Sequence, residues 1–169
     1  MEVIYDYERI KEIFRDSILK SNVSSIWRYR VLLPLVSDEY VISLDEGWTL
    51  LCRARNLSEK LNVKSTILLK NETTNPTGSF LDRGSSVLIS RCLELGVEKI
   101  SCVTTGNLGA SLSAYSAKAG ITCINFVPKS VERVKLYQTV VYGGKIVWCD
   151  NVEKAVSRAL KMCNEGAYP

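Results

Sequence analysis

The sequence contains no histidine. That absence removes Ser–His and Cys–His nucleophilic pairs and histidine-bound metals, because each depends on an imidazole as base or ligand. Cysteine occurs at Cys52, Cys92, Cys102, Cys123, Cys149 and Cys163, with no pair in C-x-x-C spacing. The close ligand pairs of structural zinc are therefore missing too. Cys102, Cys123 and Cys149 sit inside apolar runs, where a free thiol behaves as a small hydrophobe, so buried, reduced thiols are expected. No window approaches the roughly 20 apolar residues of a membrane span. The start, Met1–Tyr7, holds Glu2 and Asp6 in place of a basic segment followed by an apolar one, which is not the pattern of a secretory signal. A cytoplasmic protein is expected. The net charge is only +4, with Lys and Arg spread along the chain. Without a basic run interleaved with aromatics, no nucleic-acid partner is expected.

What is present is ordinary globular material. The 169 residues are 46% apolar and 24% charged, and a chain of that length buries roughly 70% of its unfolded surface. Tyr5–Lys20 places Ile10, Ile13, Phe14, Ile18 and Leu19 at helical spacings. An irregular stretch through Trp27 and Pro34 leads to a short apolar run, Tyr40–Leu44, and to a short helix over Leu57–Leu61. From there the chain alternates. The apolar runs Thr66–Leu69, Ile100–Thr104, Cys123–Val127 and Ile146–Cys149 read as parallel strands buried on both faces. Between and after them lie helical patterns over Leu81–Leu95, Leu108–Ala119, Val131–Tyr142 and Val152–Cys163, each ending near glycine. The predicted fold class is α/β, an open parallel sheet with helices on both faces.

Two segments stand where loops enter helices at the carboxyl edge of that sheet, the edge at which ligands of open α/β sheets gather. In Asn75-Pro76-Thr77-Gly78-Ser79-Phe80-Leu81-Asp82-Arg83-Gly84, Ser79 is a candidate helix cap and Asp82 a favourable charge near the helix start. A capped loop-to-helix junction accounts for every residue there. In Thr104-Thr105-Gly106-Asn107-Leu108-Gly109-Ala110-Ser111, a strand opens into a helix rich in Ala and Ser. Free backbone amides at such a start form an anion site, although a plain tight turn fits the same residues. The G-x-G-x-x-G dinucleotide pattern is not met.

Taken together, the two segments resemble threonine synthase, of the pyridoxal-phosphate enzymes with the tryptophan synthase beta-like fold. The first is similar to that family's lysine-bearing segment, together with Lys70 and Glu72 before it. Thr104-Thr105-Gly106-Asn107, with Ala110-Ser111 and Ala114-Tyr115, resembles its asparagine loop and the following helix. Leu44-x-Glu46-Gly47-x-Thr49 upstream, and Val127-Pro128-Lys129 and Gly143-Gly144 downstream, fall in matching order. The resemblance runs from about Val41 onward and covers the N-terminal portion of the family only.

It implies pyridoxal 5'-phosphate as cofactor, acting as an electron sink, and conversion of O-phosphohomoserine to threonine. By motif position the family's imine-forming lysine is residue 81, and here it is Leu81, so no intact catalytic residue is expected. Asn107 matches the asparagine that bonds the cofactor's ring oxygen, and Phe80 an aromatic near the ring. Thr104, Thr105, Gly106 and Asn107 match the loop that takes the substrate carboxylate. Leu108 and Leu50 depart from a polar residue and a proline. The family's glycine-rich phosphate loop and its partner for the ring nitrogen fall beyond residue 169. The resemblance thus implies a truncated chain: residues 1–64 belong to an incomplete larger domain, and 65–169 form a small α/β domain. The expected activity is that of a threonine synthase-like lyase left inactive. The alternative is a non-catalytic remnant that binds an anion or amino acid, or pairs with another chain. A homodimer is expected from the face that the missing half leaves bare.

Overall fold

The computed structural model describes residues 4–164. Helix α1, Tyr7–Phe14, begins where the Asp6 carboxylate accepts from the Arg9 amide and so satisfies one free first-turn donor. It runs into a π-helical turn, Arg15–Leu19, that buries Ile18. The amphipathic pattern over Tyr5–Lys20 therefore yields one helical segment.

Tyr40–Leu44 forms no strand. After a 3-10 turn at Asp38–Tyr40 the chain lies extended along a helix. The Ile42 amide donates to Ser90 Oγ at 2.8 Å and its carbonyl accepts from Ser86 Oγ at 2.7 Å. Serine hydroxyls thus replace a strand neighbour for this backbone.

Strand β1, Leu51–Arg53, and strand β2, Leu68–Lys70, pair antiparallel around helix α2, Arg55–Lys60. This corrects the reading of Thr66–Leu69 as a buried parallel strand, because every residue of both strands is exposed. A run of four apolar residues cannot by itself distinguish a sheet centre from a local ribbon. Here the nearby β1 offers a partner, and the Ala54 amide closes the pair by donating to the Ile67 carbonyl.

The main sheet is parallel, in the order β3-β4-β5, from Lys99–Val103, Thr122–Pro128 and Lys145–Cys149. Helices α3, Leu81–Glu94, and α4, Asn107–Ala119, cover one face. There Ile89, Cys92, Leu112 and Tyr115 pack with Ile100 and Cys123. On the other face α6, Val152–Asn164, sets Ala155 and Ala159 against Phe126 and Cys149. The expected α/β architecture, with helices on both faces, is what the chain adopts. Two glycines make its tight packing possible. A Cβ on Gly109 would lie 2.7 Å from both Asn125 Oδ1 and Thr104 Cγ2, and one on Gly144 would collide with Ser113 Oγ.

The helix expected over Val131–Tyr142 is split. A 3-10 turn, Arg133–Leu136, precedes a short α5, Tyr137–Val141. Neither piece has a side-chain cap. Of the six thiols, Cys92, Cys123 and Cys149 are buried and Cys102 and Cys163 half-buried, but Cys52 on β1 is exposed, against expectation. It is exposed because β1 itself has no covered face.

Candidate functional site

At the carboxyl ends of β3 and β4 lies a cavity of about 500 Å³. Thr104, Thr105, Gly106 and Asn107 form one wall where β3 turns into α4. Leu81, the first residue of α3, also lines it, and Val103, Leu108, Pro128 and Val152 complete an apolar lining. Lys135, from the 3-10 turn before α5, is the one charged residue in that lining.

The turn into α4 is built by Thr104 and Gly106. Thr104 is buried, and its hydroxyl accepts from the amides of Gly106 at 3.1 Å and Gly109 at 3.0 Å. Its oxygen is thus committed to the turn. Gly106 has φ +153° and sits against Lys135, whose carbonyl would be 3.4 Å from any added Cβ. The amides of Thr105, Asn107 and Leu108 find no acceptor among the described residues. They leave three N–H groups at the positive end of a 13-residue helix.

The loop into α3 is held by a buried carboxylate. Asp82 is 0% exposed and accepts from the Thr77 amide at 2.7 Å, Thr77 Oγ1 at 2.6 Å and Ser111 Oγ at 2.6 Å. The expectation that Asp82 serves the helix dipole at the helix start is therefore incomplete: it ties the loop before α3 to α4. Ser79 does accept from the Leu81 amide, at 3.3 Å, although Phe80 occupies the cap position.

A second anchor lies upstream. Arg83 grips Glu72 with two bonds of 2.8 Å, and Thr49 and Asn75 donate to the same carboxylate. Bonding to Arg83, with Thr49 and Asn75 adding, lowers the Glu72 carboxyl from 4.5 to about 2. Beneath the Gly47 turn, buried Glu46 accepts from the Leu44 amide at 2.8 Å and the Tyr115 hydroxyl at 2.9 Å. Burial first, and the Glu46 charge second, push the Tyr115 hydroxyl well above its ordinary range.

The structure thus brings Leu81, Thr104, Thr105, Gly106 and Asn107 to one cavity. Phe80 is 64% exposed and does not line it. Sequence reasoning missed Lys135, whose only signal was its place in an irregular helical pattern. It also missed the anchoring roles of Glu46 and Tyr115, which are 69 residues apart in sequence.

The geometry suits a flat anionic ligand in size and in its donors, but it does not suit an imine at residue 81. Leucine has no nitrogen to bond a cofactor aldehyde.

Comparison with known proteins agrees with this architecture. The signature of the family described as "pyridoxal-phosphate dependent enzyme" matches residues 42–169. A threonine synthase of Methanocaldococcus jannaschii is 45% identical over 148 residues, which cover 87% of this chain and 36% of that protein. A threonine synthase of Methanosarcina acetivorans is 36% identical over 167 residues, 98% of this chain and 40% of its own length. The chain therefore spans well under half of these curated relatives. Among solved structures, a pyridoxal 5'-phosphate-dependent aspartate racemase superposes with TM-score 0.66 at 25% identity, over 71% of this chain and 38% of its own. Maize serine racemase, at 21% identity and TM-score 0.65 over 71% of this chain and 37% of its own, shares the fold. The match over three quarters of the sequence assigns this chain to the pyridoxal-phosphate dependent enzyme family.

Proposed function

We propose that this chain is the N-terminal portion of a threonine synthase-like lyase that has kept the substrate-facing loop and lost covalent attachment of the cofactor. The single observation that carries the proposal is Leu81, which lines the same cavity as Thr104, Thr105, Gly106 and Asn107. In the reaction its relatives' name implies, O-phosphohomoserine becomes threonine, and pyridoxal phosphate supplies the electron sink. This chain's own residues contribute differently. The free amides of Thr105, Asn107 and Leu108 would take the amino-acid carboxylate, and Asn107 would bond the ring oxygen of a bound cofactor. Leu81 contributes only apolar surface, so the chain by itself is catalytically silent. Among the described residues no helix is long and apolar enough to cross a membrane, and a reducing cytoplasm suits six unpaired thiols.

The test is to incubate the chain with pyridoxal phosphate, reduce with borohydride and map labelled lysines by peptide mass. No label is expected in the cavity. A stoichiometric label on a lysine that lines it, with threonine formed from O-phosphohomoserine, would overturn the proposal.

A second reading has its own observation. Lys135 lines the cavity, and its amine has no hydrogen-bond or ion-pair partner among the described residues. Beside the start of α4, it favours non-covalent capture of a small amino-acid anion. Calorimetry with O-phosphoserine on the chain and on Lys135→Gln distinguishes this reading, which requires binding that Lys135→Gln weakens.

A further inference from the structure

A second hollow is built where helix α2 ends. The helix closes in a reversal at Asn62, whose φ is +50°. The Val63 amide donates to the Ser58 carbonyl and the Asn62 amide to the Glu59 carbonyl, both at 3.0 Å. Such a pair of bonds around a left-handed residue shuts a helix end tightly, and it folds residues 63–66 back along α2. Beyond them the Ala54 amide donates to the Ile67 carbonyl at 3.0 Å. Backbone bonds therefore fix both ends of the return. Between α2 and the returning segment lies a cavity of about 360 Å³, within the range of small-molecule sites. It shares no lining residue with the cavity of Leu81 and Asn107.

The charges around this hollow are the informative part. Arg53 from β1, Arg55 from the start of α2 and Lys64 from the return all border it. None of the three makes an ion pair among the described residues. The one acid in the lining is Glu59. It stands four residues after Arg55, a spacing that brings side chains together on a helix, yet the two form no ion pair. Ser58 spends its proton on the Ala54 carbonyl at 3.1 Å, so Ser65 and Thr66 supply the hydroxyl donors. Three cations against one carboxylate leave a surplus of two positive charges around one hollow. Like charges gathered in this way repel one another and focus a potential that attracts an anion. A phosphate monoester carries about −1.5 to −2 charges at neutral pH, which matches that surplus. Its oxygens also suit guanidinium forks and hydroxyl donors. A carboxylate brings half the charge.

We propose that the hollow between α2 and the 63–66 return binds the phosphate group of a small phosphorylated molecule, held by Arg53, Arg55 and Lys64. The site stands on the β1-β2 ribbon and is independent of the cofactor and of residue 81.

Residue-resolved NMR on the whole chain tests the proposal, with titrations of inorganic phosphate and of glycerol phosphate at neutral pH against sodium chloride of equal ionic strength. Both phosphates should shift the amides of residues 53–66 and saturate, while chloride should not. Arg55→Gln and Lys64→Gln should each raise the dissociation constant about tenfold. Both side chains are exposed, and unchanged amide shifts in the β3-β4-β5 sheet serve as the control for folding. Glu59→Gln removes the opposing charge and should tighten binding about threefold, a gain that loss of structure cannot produce. No saturable shift at residues 53–66, shifts equalled by chloride, or an affinity indifferent to Arg55→Gln and Lys64→Gln would each overturn the proposal. So would a Glu59→Gln variant that binds more weakly. A response to inorganic phosphate without one to glycerol phosphate would mean an adventitious ion only. Shifts confined to the amides of Thr105, Asn107 and Leu108 would place phosphate at the start of α4 and overturn it as well.

Discussion

Two loops meet at one cavity, and their fates differ. The loop before α4 combines a bonded scaffold with open donors: Thr104 bonds the turn from inside while the Thr105, Asn107 and Leu108 amides have no acceptor among the described residues. The loop before α3 keeps its scaffold with equal care. Asp82 takes three hydrogen bonds, and Arg83, Glu72, Thr49 and Asn75 lock the approach. Yet at the residue those contacts position, the side chain is leucine. Scaffold and reactive group are thus separable. The bonds that hold a helix start in place concern burial and hydrogen bonding, and they are complete with leucine at residue 81.

The comparison can be broken hardest at Asp82, which ties the loop before α3 to helix α4. Asp82→Ala strands the Thr77 amide and Thr77 Oγ1 in a buried setting and leaves Ser111 Oγ with Ser85 Oγ alone. The expected loss is about 3 kcal/mol in urea unfolding. A loss below 1 kcal/mol would show that the α3 loop is held elsewhere.

Gly109 probes the α4 side alone. Gly109→Ala drives a methyl to within 2.7 Å of Asn125 and Thr104, and overpacking of that kind costs about 1–3 kcal/mol. Because Thr104 builds the turn, weaker protection of the Gly106 and Gly109 amides in hydrogen exchange should accompany the loss. Unchanged protection would separate turn from packing.

The smallest effect is the most local. Glu72 has a folded value near 2 against 4.5 unperturbed, so its carboxylate contributes stability that is present above pH 4.5. That contribution is lost as pH falls from 4.5 toward 2. Glu72→Gln should be less stable at neutral pH by about 1 kcal/mol, and the two proteins should converge in acid. A gap that persists at pH 2 would assign the difference to packing.

Much of this was legible in the sequence. The strands at Ile100–Thr104, Cys123–Val127 and Ile146–Cys149, and the long helices around them, follow from apolar runs and glycine stops. Leu81 and the asparagine loop were placed from motif order, and the cavity joins them. What the sequence hid depended on distance. Thr66–Leu69 looks like any buried strand until its neighbour is known to be β1. The Tyr115–Glu46 bond and the Ile42 backbone bonds to Ser86 and Ser90 link residues dozens of positions apart, and no local pattern encodes them. Lys135 reaches the cavity only because the uncapped turn at Arg133–Leu136 packs on Gly106, which has no Cβ.

The central claim, that the scaffold around residue 81 is complete without an amine there, is tested most directly with Leu81→Lys beside wild type. Each is incubated with pyridoxal phosphate, reduced with borohydride and mapped by peptide mass. The account predicts stoichiometric label at position 81 of the variant and none on any cavity residue of the wild type. A variant that folds but stays unlabelled at 81, or a wild type labelled at Lys135 to the same extent, would contradict it.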